Sequence, residues 1–155
     1  MKKFRYLILS GILSILFSST VLATSTNTTF TTEVFSDGSY IETIIEEIPT
    51  ANSFTTKSTK SGSKKSTYKD SSGRIIWTIT VNGSFSYNGS SSTCTASSIS
   101  TTCPNTNWKL VNKSARKSGS SAIASATAKK YVGSTCIKNI DRTVRLTCSR
   151  TGTLS

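Results

Sequence analysis

Between Ile75 and Tyr87 the chain alternates with a period of two. Ile75, Trp77, Ile79, Val81, Phe85 and Tyr87 fall on odd positions, with Ile76, Thr78, Thr80, Asn82, Ser84 and Ser86 between them. In an extended chain that period sends the two sets to opposite faces. The stretch predicts one strand of about 40 Å at ~3.3 Å per residue. One face is apolar and the other rich in hydroxyls, with a bend where Gly83 interrupts the apolar set. It is expected to be the central strand of a β-domain.

Weaker patterns of the same kind lie on either side. Residues 30–35 and 40–48 read as strands joined by the turn Ser36-Asp37-Gly38-Ser39, a hairpin that Pro49 ends. A helix over 40–48 is the alternative, and three isoleucines and a threonine there favour β. Residues 51–70 begin as a linker and become a strand toward Thr67 and Tyr68, and Asp70-Ser71-Ser72-Gly73 turns the chain. After the Asn88-Gly89 turn, residues 91–102 form a strand with Cys94, Ala96 and Ser98 on one face. Residues 104–107 are a loop, and residues 108–117 a strand with Trp108 and Leu110 on one face. Residues 121–131 set Ala122, Ala124, Ala126 and Ala128 against Ile123, Ser125, Thr127 and Tyr131, and their alanines leave a helix as the alternative. Residues 137–148 place Ile140, Val144, Leu146 and Cys148 on one face. Arg142 shares that face and is expected at an end or a bend. Seven or eight strands with a turn every ten or so residues predict an all-β fold. It would be an antiparallel β-sandwich or barrel, immunoglobulin-like in general architecture.

The first residues change the picture of where this domain works. Lys2, Lys3 and Arg5 precede an apolar run over 7–17, and Val21 and Ala23 sit where a small-residue cleavage site needs them. Residues 1–23 therefore read as a signal peptide. The run is shorter than the ~20 residues a membrane span needs, and no later stretch could serve as one. The expected product is secreted and extracellular, or associated with the cell wall. Export also bears on Cys94, Cys103, Cys136 and Cys148, an even set that reads as two disulfides. Zinc is disfavoured by wide spacings, the lack of a CxxC pair and the lack of any histidine.

Charge divides the mature chain in two. Residues 24–50 hold Glu33, Asp37, Glu42, Glu46 and Glu47 and no lysine or arginine. Residues 51–155 hold sixteen basic residues against Asp70 and Asp141, a net +14. The sequence thus predicts an acidic tail and hairpin over 24–50 and a basic β-domain over 51–155. Lys57, Lys60, Lys64, Lys65 and Lys69 form one basic cluster, and Lys113, Arg116 and Lys117 a second. Further charges follow at Lys129, Lys130 and Lys138, then Arg142, Arg145 and Arg150. Such a field attracts polyanions. Nucleic acid is the less fitting partner, because the aromatics share the core-facing parity instead of interleaving with the charges.

Catalysis finds little support. Without histidine there is no Ser-His-Asp or Cys-His arrangement. Five of the seven carboxylates lie in the N-terminal hairpin, and Asp70 and Asp141 are far apart in sequence. Serine and lysine are too abundant for any one pair to stand out. No phosphate loop or metal-loop motif occurs. No catalytic residue, metal or cofactor is expected.

DGSYI at 37–41, WTITVNGSFSY at 77–87, Trp108-Lys109, KSG at 117–119 and TVRLTC at 143–148 resemble a group of small secreted proteins of Gram-positive bacteria. The resemblance covers most of the mature chain and supplies no functional residues. It includes Cys94 and Cys148, with Cys103 and Cys136 as an addition, which implies pairing within each set. Strand geometry bears on the same question. Extended strands hold Cys136 and Cys148 roughly 40 Å apart and Cys94 and Cys103 roughly 30 Å apart, so bonds within a strand are excluded. Antiparallel strands would give Cys94–Cys148 and Cys103–Cys136, and parallel strands the crossed pairs; antiparallel is the commoner arrangement. The reading is a small exported β-protein without catalysis that associates with anionic polymers of the cell envelope. The alternatives are a self-associating surface or matrix protein, in which the acidic hairpin of one copy meets the basic body of the next, and a secreted effector or toxin.

Overall fold

The computed structural model describes residues 27–48 and 58–155, with side chains from residue 33 onward in the first segment. The expected signal peptide over 1–23, the tail up to residue 26 and the linker with Pro49 and Lys57 lie outside them. Eight strands follow in order: β1 (Asn27–Val34), β2 (Tyr40–Ile48), β3 (Ser58–Lys69), β4 (Ile75–Tyr87), β5 (Ser92–Thr102), β6 (Trp108–Ser118), β7 (Ser121–Val132) and β8 (Thr135–Thr147). β1 to β5 form a five-stranded antiparallel meander and β6 to β8 a three-stranded one. The two sheets pack face to face as a sandwich and do not close into a barrel. Both segments for which a helix was an alternative are strands, β2 and β7. Among the described residues no helix is long and apolar enough to cross a membrane.

The core lies between β4 and β7, and its two sides differ in size. β4 contributes Trp77, Ile79, Val81 and Phe85, while β7 contributes only Ala122, Ala124, Ala126 and Ala128. Large residues against methyl groups let the sheets approach while their facing layers still interlock. Gly83 belongs to this close approach. A β-carbon there would fall 2.7 Å from the Phe85 ring and 2.9 Å from the methyl of Ala122. Toward one end the core is aromatic: the Tyr68 ring stacks on Trp77 at 5.1 Å, meets Trp108 at 5.4 Å and receives the edge of Phe35 at 5.6 Å.

Bulges decide where the simple alternation fails. The β3–β4 ladder runs from Tyr68↔Trp77 to Lys69↔Ile75, so Ile76 is an extra residue. Ile76 is therefore buried beside Trp77, and Ile75, expected on the apolar face, is exposed. The β4–β5 ladder steps from Ser84↔Ala96 to Phe85↔Cys94, leaving Thr95 as the extra residue. Cys94 accordingly points inward while Ala96 and Ser98 are exposed, and Ile99 takes up the inward parity instead. A bulge shifts every later residue by one face. Arg142 is neither at an end nor at a bend. It lies mid-strand on β8, an edge strand, and reaches over to donate from Nε to Ser66 Oγ at 3.0 Å and from Nη1 to Glu33 at 3.2 Å. An edge position lets an inward cation leave the core sideways, so no bend is needed.

The expected disulfides are absent, and all four cysteines are free thiols. β5 packs against β6 and β7 whereas β8 lies over β3 and β4, so the two cysteine-bearing strands occupy opposite sides of the sandwich. The cysteines nevertheless sort by end. The amide of Cys94 donates to the Gly119 carbonyl at 2.8 Å and that of Cys148 to the adjacent Ser120 carbonyl at 3.0 Å, both at the β6–β7 turn. At the other end, the Cys103 thiol donates to the Trp108 carbonyl at 3.3 Å. Cys136 pairs across from Tyr131, whose amide takes the Asn107 carbonyl at 2.8 Å.

Candidate functional site

The antiparallel register of β2 and β3 brings the acidic strand against the first basic cluster. Glu42, Glu46 and Glu47 lie within reach of β3 on the neighbouring strand. Lys69 meets Glu42 at 2.7 Å, Lys65 meets Glu46 at 3.8 Å, and Lys60 meets Glu47. The hydrogen bond to Glu42 raises the Lys69 ammonium above its ordinary range, against a smaller opposing effect of burial. Lys64 sits across from Ile45, on the side of β3 that faces the other sheet. Burial, and after it the Arg142 guanidinium, push its pKa down. Of the five cluster residues, three are thus paired, one is turned between the sheets, and Lys57 lies outside the described residues.

The unpaired charge gathers on the other sheet. Among the described residues of β1 to β5 and their turns, Glu33, Asp37, Glu42, Glu46, Glu47 and Asp70 face five basic residues, Lys60, Lys64, Lys65, Lys69 and Arg74. Over β6 to β8, nine basic residues face only Asp141. Two of the nine lean back to the first sheet: Arg142, as above, and Lys138, whose Nζ lies 3.3 Å from Asp37 and over the rings of Phe35 and Tyr68. Among the described residues, Lys109, Lys113, Arg116, Lys117, Lys129, Lys130 and Arg145 form no ion pair.

The register of the three strands fixes how these charges stand. Ala122, Ala124, Ala126 and Ala128 of β7 face the core, so Ile123, Ser125, Thr127 and Lys129 face away from it. Across the outward face, one rung is Arg116–Ile123–Arg145 and another is Lys109–Lys129–Asn139. Ile123 and Lys129 are six positions apart along β7, about 20 Å at ~3.3 Å per residue. The rungs between them are hydroxyl-rich: Ser125 and Thr143 share a hydrogen bond at 2.9 Å, and Thr127 donates to Asp141 at 2.6 Å. Ile123 is buried to 1% although it lies outside the core cluster. Its cross-strand neighbours on that face are Arg116 and Arg145, both exposed. At the other rung Lys109 Nζ lies 5.3 Å from the centre of the Tyr131 ring.

Lys113 projects beside a bulge at the middle of β6, where Asn112 adopts a positive φ of 52°. Lys117 is exposed but donates to the Thr95 carbonyl at 3.2 Å, tying β6 to the bulge of β5. Of the sequence-predicted contact residues, Lys113 and Arg116 stand free beside this face. Lys109, Lys129 and Arg145 complete it, and only strand register could have joined them, since they are scattered over 37 residues of sequence.

The carboxylate described on this face is Asp141, held by the Thr127 hydroxyl. Among the described residues no group of three or more cysteine, aspartate or glutamate side chains could hold a metal ion. Burial pushes the Cys94 and Cys103 thiols up, away from the reactive thiolate. Comparison with known protein families, with curated proteins and with solved structures finds no significant match to this chain.

Proposed function

We propose that the chain is a small exported β-sandwich without catalysis that holds anionic polymers of the cell envelope on the outward face of β6 to β8. The observation that carries this reading is the division of charge between the sheets. The lysines of β3 are offset by the glutamates of β2, whereas the three-stranded sheet presents two uncompensated rungs of positive charge. A flat face with separated cations and hydroxyls between them suits an extended, repeating polyanion better than a compact ligand. Binding through summed charge falls as salt rises, because the screening length shrinks from ~10 Å at 0.1 M to ~3 Å at 1 M. The test is the bound fraction on purified cell walls, with and without their phosphate-bearing polymers, at both salt concentrations. Retention that depends on the polymer and on low salt supports the reading, and equal binding to both wall types refutes it. Self-association through the acidic hairpin fits less well, since Glu42, Glu46 and Glu47 are engaged within the molecule.

We further infer that export oxidises the thiols in the pairs Cys94–Cys148 and Cys103–Cys136. Each bond forms when two thiols give up two protons and two electrons to a disulfide donor, which leaves as its dithiol. The support is that each pair shares one end of the sandwich, the first on the adjacent carbonyls of Gly119 and Ser120. The structure holds neither pair at bonding distance, so closure, which needs the α-carbons within about 7 Å, requires the segments of β5 and β8 that carry them to shift toward each other.

A further inference from the structure

At the end of the sandwich away from the β6–β7 turn, several connections meet around a cleft of about 300 Å³. The β1–β2 turn contributes Asp37, the β3–β4 turn Asp70 and Arg74, the β5–β6 connection Asn105 and Asn107, and β7 contributes Lys130. The volume is at the small end of the range for ligand sites. Ile76 and Trp108 form part of its floor, but Trp108 is buried to 6% and Ile76 to 4%, so little apolar surface is open to a ligand.

The polar groups differ in what they have left to offer. Asp37 accepts from the Ser39 amide at 3.1 Å, from the Ser39 hydroxyl, and from Lys138 at 3.3 Å. Asp70 accepts from the amides of Ser72 and Arg74 at 3.1 and 2.9 Å and from Arg74 Nε at 3.1 Å. Hydrogen bonding holds both carboxyls below their ordinary range, chiefly through the Ser39 hydroxyl for Asp37 and the Arg74 amide for Asp70. Both are therefore held as carboxylates, which accept hydrogen bonds and do not donate them. Each carboxylate has room for about four hydrogen bonds and retains some capacity to accept from a hydroxyl.

The donors are less committed. Arg74 spends Nε on Asp70 and keeps its terminal nitrogens. Lys130 has no ion-pair partner among the described residues. Asn105 gives its side-chain oxygen to the Asn107 amide at 3.0 Å, which turns its own NH₂ toward other partners. Two cations and a carboxamide NH₂ therefore face a space whose acceptors are only partly free.

We propose that this cleft binds a single anionic sugar unit, a ring bearing one carboxylate or one phosphate. Arg74 and Lys130 take the acid group, Asn105 and Asn107 donate to its flanking oxygens, and the carboxylates accept from ring hydroxyls. The site is independent of the outward face of β6 to β8, since its cations are not those of the two rungs.

Titration of the mature protein with glucuronate, glucose 1-phosphate and glucose, followed by ¹⁵N–¹H NMR of the Asn105 and Asn107 carboxamides, tests it. Glucuronate and glucose 1-phosphate distinguish a carboxylate from a phosphate as the preferred acid. At least one should saturate those signals and bind about tenfold more tightly than glucose, the worth of one charge-assisted hydrogen bond. Lys130→Gln, which breaks no ion pair, should weaken that binding about tenfold, whereas the double variant Arg116→Gln/Arg145→Gln should leave it unchanged. Equal binding of glucose, silence of the cleft signals with both anions, or wild-type affinity in Lys130→Gln would overturn the assignment. Because the double variant removes only face cations, failure of the face and failure of the cleft are read separately.

Discussion

Arg116 and Ile123 stand directly opposite each other in the β6–β7 ladder, and Arg145 stands opposite Ile123 on the far side. The isoleucine is sealed from solvent on the side of the sheet that faces away from the core. A sealed apolar residue thus stands between two exposed arginines in the ladder.

Ile123→Ala follows from it. Burial is nearly complete but the site lies outside the main core cluster, so the loss belongs at the low end for such truncations, about 2 kcal/mol. Urea unfolding should report that loss. A variant as stable as the parent would mean that the side chain is not sheltered as described.

Trp77 is fully buried and stacked on Tyr68. Trp77→Asp removes the indole, a loss of roughly 3–5 kcal/mol for truncation alone, and places a carboxylate where no partner waits. That is most of the stability of a domain of this size. Circular dichroism should show an unfolded chain, and a cooperative β-rich spectrum would contradict the core.

Asp37 titrates at about 2 in the folded protein against an ordinary 3.8. A depressed carboxylate stabilises the fold at pH values above 3.8, and that contribution fades as pH falls from there toward 2. The group is fully exposed, so the effect is modest. Thermal unfolding of the wild type should therefore lose more between pH 4 and pH 2 than that of Asp37→Asn, as approximate bounds of that window. Identical pH profiles would remove Asp37 from the account.

Peptide mapping without reduction, on protein purified from its native producer, addresses the cysteines. The expected linked peptides carry Cys94 with Cys148 and Cys103 with Cys136. A Cys94–Cys103 peptide would contradict the strand β5 itself, because one strand holds those residues too far apart to bond.

Most of the fold is legible in the sequence because period-two alternation is a local signal: it marks β4 and β8 directly, while the alanines of β7 fit a helix as well until the strand is paired. What the pattern hides are the extra residues. Thr95 and Ile76 look like ordinary strand positions, and only pairing with a neighbour makes them bulges that send Ala96 and Ile75 to solvent. The charged site fails for a related reason. The cluster from Lys57 to Lys69 is dense in sequence, yet the register of β2 against β3 pairs much of it with glutamates. Lys109, Lys129 and Arg145 are scattered in sequence and become one face only through strand pairing. Charge proximity along the chain is a poor guide to field strength once strands pair side by side.

The comparison of two charge-removal variants tests the central claim most directly. One is Lys109→Gln/Lys113→Gln/Arg116→Gln/Arg145→Gln on the three-stranded sheet, and the other is Lys60→Gln/Lys65→Gln/Lys69→Gln on β3. Both are measured for retention on phosphate-rich cell walls at low salt, after circular dichroism has verified that each is folded. The first should lose most of its binding. The second should retain nearly all of it, since the lysines it removes are offset by Glu47, Glu46 and Glu42. Full retention by the first variant, or equal losses in both, would contradict the assignment of binding to the outward face of β6 to β8.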